Sequence, residues 1–229
     1  MKKFLKEELS GWKPWETAWL LTACLVIAAL SIYWHDTVMG IISATTGVAC
    51  VVCTGKGKLS AYLFGTINVV LYAVISFQAR YYGEVMLNAL YYFPMEFYGF
   101  YVWKKHMNAE THEVEKKRMN SKGRLLLVLA TAAGTVVYGF VLKALGGALP
   151  FVDALSTVAS VIAMVISVKM YMEQWIIWIV VDVVTVVMWA AAFAGGNESV
   201  ATLLMWVVYL GNAVIMYFKW AREVNANAV

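Results

Sequence analysis

Two carboxylates, Glu96 and Asp182, lie inside long apolar stretches of this 229-residue sequence. An acid at the centre of a membrane-spanning helix is disfavoured by about 3 kcal/mol on insertion scales, so each should face a polar cavity or a partner group. The alternative is that each acid stays protonated or bonds a neighbouring hydroxyl or amide. The chemistry to consider is therefore the binding of a polar solute within a membrane, or the relay of protons.

Helical spacing places the polar and aromatic side chains on shared faces, because positions i, i+3, i+4 and i+7 project from the same side of a helix. Each of four stripes combines aromatic rings with an acid or an amide. For the amides, an alternative role is hydrogen bonding between helices. The candidate site residues on these stripes are Asn68 with Tyr72; Asn88 with Tyr92 and Glu96; Trp178 with Asp182, Thr185 and Trp189; and Tyr209 with Asn212.

A cavity with these side chains would suit a flat, polar ring solute, because rings stack on rings and a cationic ring is attracted to an aromatic face by about 0.5 to 2 kcal/mol. Catalysis has little support. The three histidines, His35, His106 and His112, all lie outside the apolar stretches, whereas an intramembrane metal or haem centre would need histidines within them. We expect neither a metal nor a cofactor, and a transporter rather than an enzyme.

The elements that must position these residues are transmembrane helices. The chain is 62% hydrophobic and only 14% charged, whereas soluble domains are about 25% charged. Apolar windows of about 20 residues predict membrane-spanning helices, and Trp103 and Trp175 at two window ends favour an interfacial aromatic belt. The sequence predicts an all-α integral membrane protein with eight transmembrane helices, at 17–34, 38–54, 60–78, 85–103, 124–142, 151–169, 174–194 and 200–219.

Basic residues predict the orientation of these helices. With eight spans, sixteen of the eighteen Lys and Arg residues fall on one side of the membrane, and only Arg80 and Lys143 fall on the other. Cytoplasmic loops carry the excess of basic residues, so both termini should be cytoplasmic. The net charge of +4 thus reflects topology, and no nucleic-acid partner is expected.

A weak internal repeat relates the two halves of the chain. An offset of 117 residues aligns Tyr92 with Tyr209 and Trp103 with Trp220. Windows two to four thus correspond to windows six to eight, and the fifth window makes the two copies parallel in the membrane. Solute sites in repeat-built transporters lie between the halves. The predicted organisation is a tail and additional helix at 1–35, a first three-helix repeat at 36–104, a cytoplasmic loop and linker helix at 105–145, and a second three-helix repeat at 146–222.

Two stretches, YYGEVMLNALYYFPMEFYGFYVWKK and EQWIIWIVVD, resemble the PnuC family of bacterial nicotinamide riboside transporters. The resemblance implies a three-plus-one-plus-three fold similar to the SWEET proteins, in the bacterial inner membrane. It implies facilitated diffusion of nicotinamide riboside, which a cytoplasmic riboside kinase then phosphorylates so that it cannot leave. It also adds Tyr91 to the candidate site. The matching positions are Tyr82, Glu84, Leu87, Asn88, Tyr91, Gly99, Tyr101 and Trp103, and then Trp175, Trp178, Ile179 and Asp182.

Several alternatives stay open at the level of sequence. Similar folds are associated with thiamine, riboflavin or nucleosides, so the solute could be another of these. Glu96 and Asp182 could relay protons in a proton-coupled transporter. Other classes are a membrane-embedded enzyme acting on a lipid or prenyl substrate, and a structural or sensor protein. The partners expected are the solute, the lipid bilayer and further copies of the chain in a homo-oligomer, with a trimer favoured.

Overall fold

The computed structural model describes residues 2–80, 82–146, 150–195 and 200–226, and these are almost entirely helical. A short helix, α1, precedes the first long helix. The long elements follow the apolar windows, which confirms the prediction of an all-helical membrane protein. The helices are α1 (Lys2–Glu8), α2 (Pro14–Tyr33), α3 (Val38–Lys56), α4 (Ser60–Gln78), α5 (Tyr82–Met86), α6 (Phe93–Lys105), α7 (Ser121–Ala144), α8 (Pro150–Val168), α9 (Gln174–Ala194) and α10 (Val200–Ala226).

The fourth predicted span is helical but interrupted. A π-helical segment, Leu87–Tyr92, joins α5 to α6, and Pro94 follows it at the start of α6. Proline cannot donate the backbone hydrogen bond of a regular α-helical turn, so the chain widens before it. Seven of the described helices are long and apolar enough to cross a membrane as uninterrupted segments. The π-containing helix, 82–105, is the eighth long element.

Capping side chains and left-handed residues set the helix ends. The Thr37 hydroxyl accepts a hydrogen bond from the Gly40 amide at 3.0 Å, and the Asp36 carboxylate accepts one from the Ala201 amide at 2.7 Å. The latter bond ties the start of α3 to the start of α10. At the other end of α3, Gly57 adopts φ 84°, a left-handed conformation that glycine takes without strain.

The two halves of the chain pack crosswise through a pair of equivalent bonds. The indole Nε1 of Trp103, on α6, donates to the Ser167 carbonyl near the end of α8 at 3.2 Å, and that of Trp220, on α10, donates to the Gly55 carbonyl near the end of α3 at 2.8 Å. The third helix of each half is thus bonded to the first helix of the other. These two tryptophans are the pair that the 117-residue offset aligns.

The interfacial-belt interpretation of Trp103 and Trp175 is wrong. Trp103 is fully buried and Trp175 is 2% exposed. Trp175 packs edge-on against Trp220, with ring centroids 5.6 Å apart. Both indoles fill the interface between helices, because the helix ends on this side are covered by other parts of the chain.

A buried network of charges closes the same side of the molecule. The Glu16 carboxylate of α2 lies 3.0 Å from Lys56 Nζ and 2.7 Å from Lys219 Nζ, so one acid joins α2, α3 and α10. Lys56 also contacts Glu113 in the segment between α6 and α7 at 2.9 Å. Burial alone would raise the pKa of Glu113, but the ammonium groups of Lys116 and Lys56 outweigh it and hold that pKa below its usual value.

Candidate functional site

A cavity lies between the two halves, bounded by α3, α4 and the 82–105 helix on one side and by α8, α9 and α10 on the other. Ten of the twelve residues predicted for a binding site line it. They reach the cavity because each stripe runs along the helix face that meets the opposite half. The ten are Asn68, Tyr72, Asn88, Tyr92, Glu96, Trp178, Asp182, Thr185, Tyr209 and Asn212.

Two of the predicted residues lie outside the lining. The Tyr91 hydroxyl donates to the Val161 carbonyl of α8 at 2.8 Å, which attaches the π-helical segment to the other half. Trp189 is fully buried behind the wall, and its Nε1 donates to the Tyr72 hydroxyl at 2.9 Å. Trp189 thereby orients a lining residue instead of facing the cavity itself.

Aromatic rings form the walls of the cavity. Tyr92 of the π-helical segment and Trp178 of α9 come from different halves, and their ring centroids are 6.4 Å apart. On the α10 side, Trp206 lies 5.1 Å from Tyr209 and 5.9 Å from Tyr72, in edge-to-face arrangements. Centroid separations of about 4.5 to 7 Å are those of interacting rings. Flat apolar surfaces therefore face the space between the halves.

The amides that line the cavity are held in different ways. Asn68 donates from α4 to the Ser43 carbonyl of α3 at 2.8 Å, and Asn212 donates from α10 to the Val51 carbonyl of α3 at 3.1 Å. These are the hydrogen bonds between helices that the sequence offered as an alternative role. Asn88 instead bonds its own helix, at the Glu84 carbonyl, 2.8 Å away. The amide oxygen of Asn88 is not used in that bond.

Glu96 is the most deeply placed acid of the 82–105 helix. Its side chain is 6% exposed, and among the described residues none hydrogen-bonds its Oε2. Gly65 of α4 faces it so closely that a Cβ at that position would lie 2.5 Å from Oε2. The absence of a side chain at Gly65 therefore leaves the room that the carboxyl group occupies, and Glu96 retains an unused acceptor at the cavity.

The ionisable acids and bases of the lining are all of one kind. Three acids, Glu84, Glu96 and Asp182, line the cavity, and no Lys, Arg or His is among the described lining residues. Nor, in the described part of the chain, do three or more His, Cys, Asp and Glu side chains come together as a metal-binding group. The arrangement is suited to a polar or positively charged solute, since no cation of the protein is present to neutralise an anionic one.

Sequence reasoning missed several lining residues. Glu84 lies one turn before Asn88 on the same helical stripe, and Tyr62 precedes Asn68 and Tyr72 on the face that carries Gly65, so helical spacing could have identified both. Trp175 was assigned to the aromatic belt, yet it lines the cavity. No described residue hydrogen-bonds the Tyr62 hydroxyl or the Trp175 indole nitrogen.

Comparisons with known proteins match the sequence and the fold of this chain to one family. The family described as nicotinamide mononucleotide transporter matches residues 37–222. The nicotinamide riboside transporter PnuC of Neisseria mucosa is 42% identical over 228 residues, which cover 97% of this chain and 87% of that protein. The PnuC of Haemophilus influenzae is 34% identical over 226 residues, which cover 96% of each.

A solved structure agrees with these matches. A crystal structure of the vitamin B3 transporter PnuC superposes with a TM-score of 0.88 at 41% identity, covering 98% of each chain. Residues 37–222 exclude α1 and α2 and extend from the start of α3 into α10. The chain therefore belongs to the PnuC family of membrane transporters.

Proposed function

We propose that the protein moves nicotinamide riboside across the membrane by facilitated diffusion through this cavity. The observation that carries the proposal is the lining, which combines aromatic walls with three acids and contains no basic side chain among the described residues. The pyridinium ring of nicotinamide riboside is flat and cationic, so rings and carboxylates both favour it. The relatives named as nicotinamide riboside transporters support the same solute.

The same charges favour the riboside over its phosphate ester. The family description refers to the mononucleotide, which carries a phosphate group in addition to the ring. Inside a cavity lined by Glu84, Glu96 and Asp182, that phosphate would meet carboxyl groups, which repel it when ionised, and no basic side chain of the described lining would compensate it. We therefore propose that phosphorylation by a cytoplasmic riboside kinase traps the solute, because the product is not accepted back into the cavity.

Calorimetric titration of the purified protein in detergent tests the solute. We expect saturable heat with nicotinamide riboside and none with nicotinamide mononucleotide, thiamine or riboflavin at the same concentrations. Binding of the mononucleotide with equal affinity would contradict the charge argument. Binding of thiamine or riboflavin alone would identify that vitamin as the solute and would leave the family assignment unchanged.

The mode of transport has its own test. In proteoliposomes, uniport predicts that the labelled riboside equilibrates across the membrane at a rate that does not depend on a pH gradient. Glu96 and Asp182 line the path and could carry protons. Accumulation of the riboside above equilibrium under an inward proton gradient would show that transport is coupled to protons and is not uniport.

Replacing Glu96 with Gln should weaken binding of the charged riboside by about 1 kcal/mol, roughly fivefold. The amide keeps the shape and can still accept a hydrogen bond, but a bond to a charged group is stronger than a neutral one by about that amount. The measurement is the dissociation constant from the same titration. Unchanged affinity would remove the carboxylate from the site.

A matched solute separates charge from shape in this variant. Reduced nicotinamide riboside has an uncharged ring of nearly the same size, so Glu96→Gln should bind it as well as the unsubstituted protein does. An equal loss for both solutes would mean that the substitution has disturbed the cavity rather than removed a charge interaction.

We also propose the membrane location, the oligomeric state, the orientation of the termini and the repeat organisation of the chain. The protein would lie in the bacterial inner membrane as a homo-oligomer, with a trimer favoured, and with both termini in the cytoplasm because sixteen of the eighteen Lys and Arg residues fall on that side. The crosswise bonds of Trp103 and Trp220 support two parallel three-helix units at 36–104 and 146–222, joined by 105–145. The segment 1–35 is an addition to the repeat.

A further inference from the structure

A second recess lies on the outer surface, away from the cavity, where the start of α7 meets the end of α8. This groove is defined by Arg118, Met119, Asn120, Gly123, Leu126, Leu127, Ala130, Ile166 and Tyr171. None of these residues lines the cavity between the halves.

The groove is polar at one end and apolar at the other. The polar end, called the upper end here, lies where α7 begins and is formed by Arg118, Asn120 and the Tyr171 side chain. Below them Gly123, Leu126 and Ala130 follow one another at helical spacing, over about 10 Å along the axis of α7 at 1.5 Å per residue. The apolar part therefore runs into the depth of the membrane, while the polar part stays at its surface.

The upper end of the groove is held rigidly. The Lys117 amide donates to the Met170 carbonyl at 2.8 Å, and the Lys117 carbonyl accepts from the Met172 amide at 2.8 Å. The buried carboxylate of Glu173 accepts from the Met119 amide at 3.1 Å and pairs with Arg124 at 2.9 Å. The backbone on either side of Arg118 is thus fixed by bonds to the segment between α8 and α9.

Uncompensated positive charge surrounds this end. Lys117, Arg118 and Lys122 are all exposed, and no ion pair within 4.0 Å involves any of them in the described part of the chain. Arg118 donates to the neutral Asn225 amide oxygen at 2.7 Å, which leaves its other N–H groups available. The nearby acid, Glu173, is already paired with Arg124.

We propose that this groove binds an anionic phospholipid, with the phosphate at Arg118 and one acyl chain along Leu126, Leu127 and Ala130. Lys122 does not line the groove, but it is exposed and adjoins the lining residue Gly123 in the chain, so it adds positive charge at this end. A cationic rim over an apolar slot between transmembrane helices matches both parts of such a lipid, and each basic residue near the membrane surface contributes about 1 kcal/mol of attraction to anionic lipid. The fixed backbone on either side of Arg118 and the bond of its side chain to Asn225 reduce the cost of ordering the guanidinium on binding.

Native mass spectrometry of the purified full-length protein, with equal concentrations of phosphatidylglycerol and phosphatidylcholine, tests the proposal. We expect a retained adduct of phosphatidylglycerol and little phosphatidylcholine. The double variant Arg118→Gln/Lys122→Gln should lose this adduct by about tenfold or more, since two basic residues are removed. The double variant Lys104→Gln/Lys105→Gln removes two exposed cations that do not line the groove, and should keep it.

A second variant tests the apolar half without changing charge. Ala130→Trp would fill the slot and should also reduce the phosphatidylglycerol adduct, while the melting temperature stays near that of the unsubstituted protein because Ala130 is exposed. Equal binding of the two lipids, or an equal loss in the Lys104/Lys105 control, would overturn a specific site. If Ala130→Trp changed the mass of the oligomer and kept the lipid adduct, the groove would be a contact with a second copy of the chain and not a lipid site.

Discussion

Replacing Glu16 with Gln should destabilise the protein by about 3 to 5 kcal/mol, the range found when one partner of a buried ion pair is removed. The Glu16 side chain is 1% exposed and contacts both Lys56 and Lys219, whose side chains are 5% and 9% exposed. The amide cannot neutralise them. Lys56 would keep Glu113 at 2.9 Å, but Lys219 would keep only Glu223 at 3.9 Å, so its poorly solvated ammonium group would lose its close counter-ion. The measurement is thermal unfolding of the purified protein in detergent, followed by tryptophan fluorescence.

A control variant on the same side of the molecule distinguishes the loss of a buried ion pair from the loss of a solvent-accessible one. Glu7 pairs with Lys3 at 3.9 Å on α1, where the Lys3 side chain is 91% exposed and the Glu7 side chain 32%, and solvent-accessible pairs contribute about 0 to 1 kcal/mol. Glu7→Gln should therefore leave the unfolding temperature nearly unchanged. Similar shifts for Glu7→Gln and Glu16→Gln would show that the buried network does not hold α2, α3 and α10 together.

Replacing Trp178 with Ala should weaken binding of nicotinamide riboside by about 1 to 3 kcal/mol, which is roughly five- to 150-fold. The estimate follows the stacking of nucleic-acid bases on aromatic side chains, and Trp178 lines the cavity with its ring 6.4 Å from that of Tyr92. The measurement is the dissociation constant by calorimetry. Trp178→Phe keeps an aromatic surface and should recover a large part of the loss.

The control for this experiment is a tryptophan of the same chain that does not line the cavity. Trp34 follows the end of α2 and is 50% exposed. Trp34→Ala should bind the riboside as tightly as the unsubstituted protein. If Trp178→Ala gave the same binding curve as Trp34→Ala, Trp178 would not be part of the solute site.

The spans and most of the lining could be predicted from the sequence because both depend on periodicity. An apolar run of about 20 residues predicts a span whatever its neighbours are, and helical spacing placed Asp182, Thr185 and Trp178 on one face. The structure brings these three together at the cavity. Glu84 was within reach of the same argument, since it precedes Asn88 by one turn.

What could not be predicted depends on how the elements meet. Helical spacing placed Tyr92 with Asn88 and Glu96, and the family resemblance added its neighbour Tyr91, which lies in the π-helical turn. Leu87 and Tyr92, five residues apart, both line the cavity, while Tyr91 bonds the backbone of α8. Likewise Trp175 lies at a helix end, and only the packing of Trp220 against it buries it within the protein.

The crosswise bonds of Trp103 and Trp220 have a consequence for the origin of the chain. A half-length ancestor that paired with its own copy would make both bonds by symmetry, and every cavity position would then occur twice. A solute in such a dimer would bind equally well in two opposite orientations. In the present chain, the offset of 117 residues aligns Glu96 with Ala213 and Asn88 with Met205 in sequence. All four residues line the cavity, so the aligned positions carry different side chains. If the chain arose by fusion of two such copies, their divergence at these positions would give an asymmetric solute a single preferred direction in the cavity.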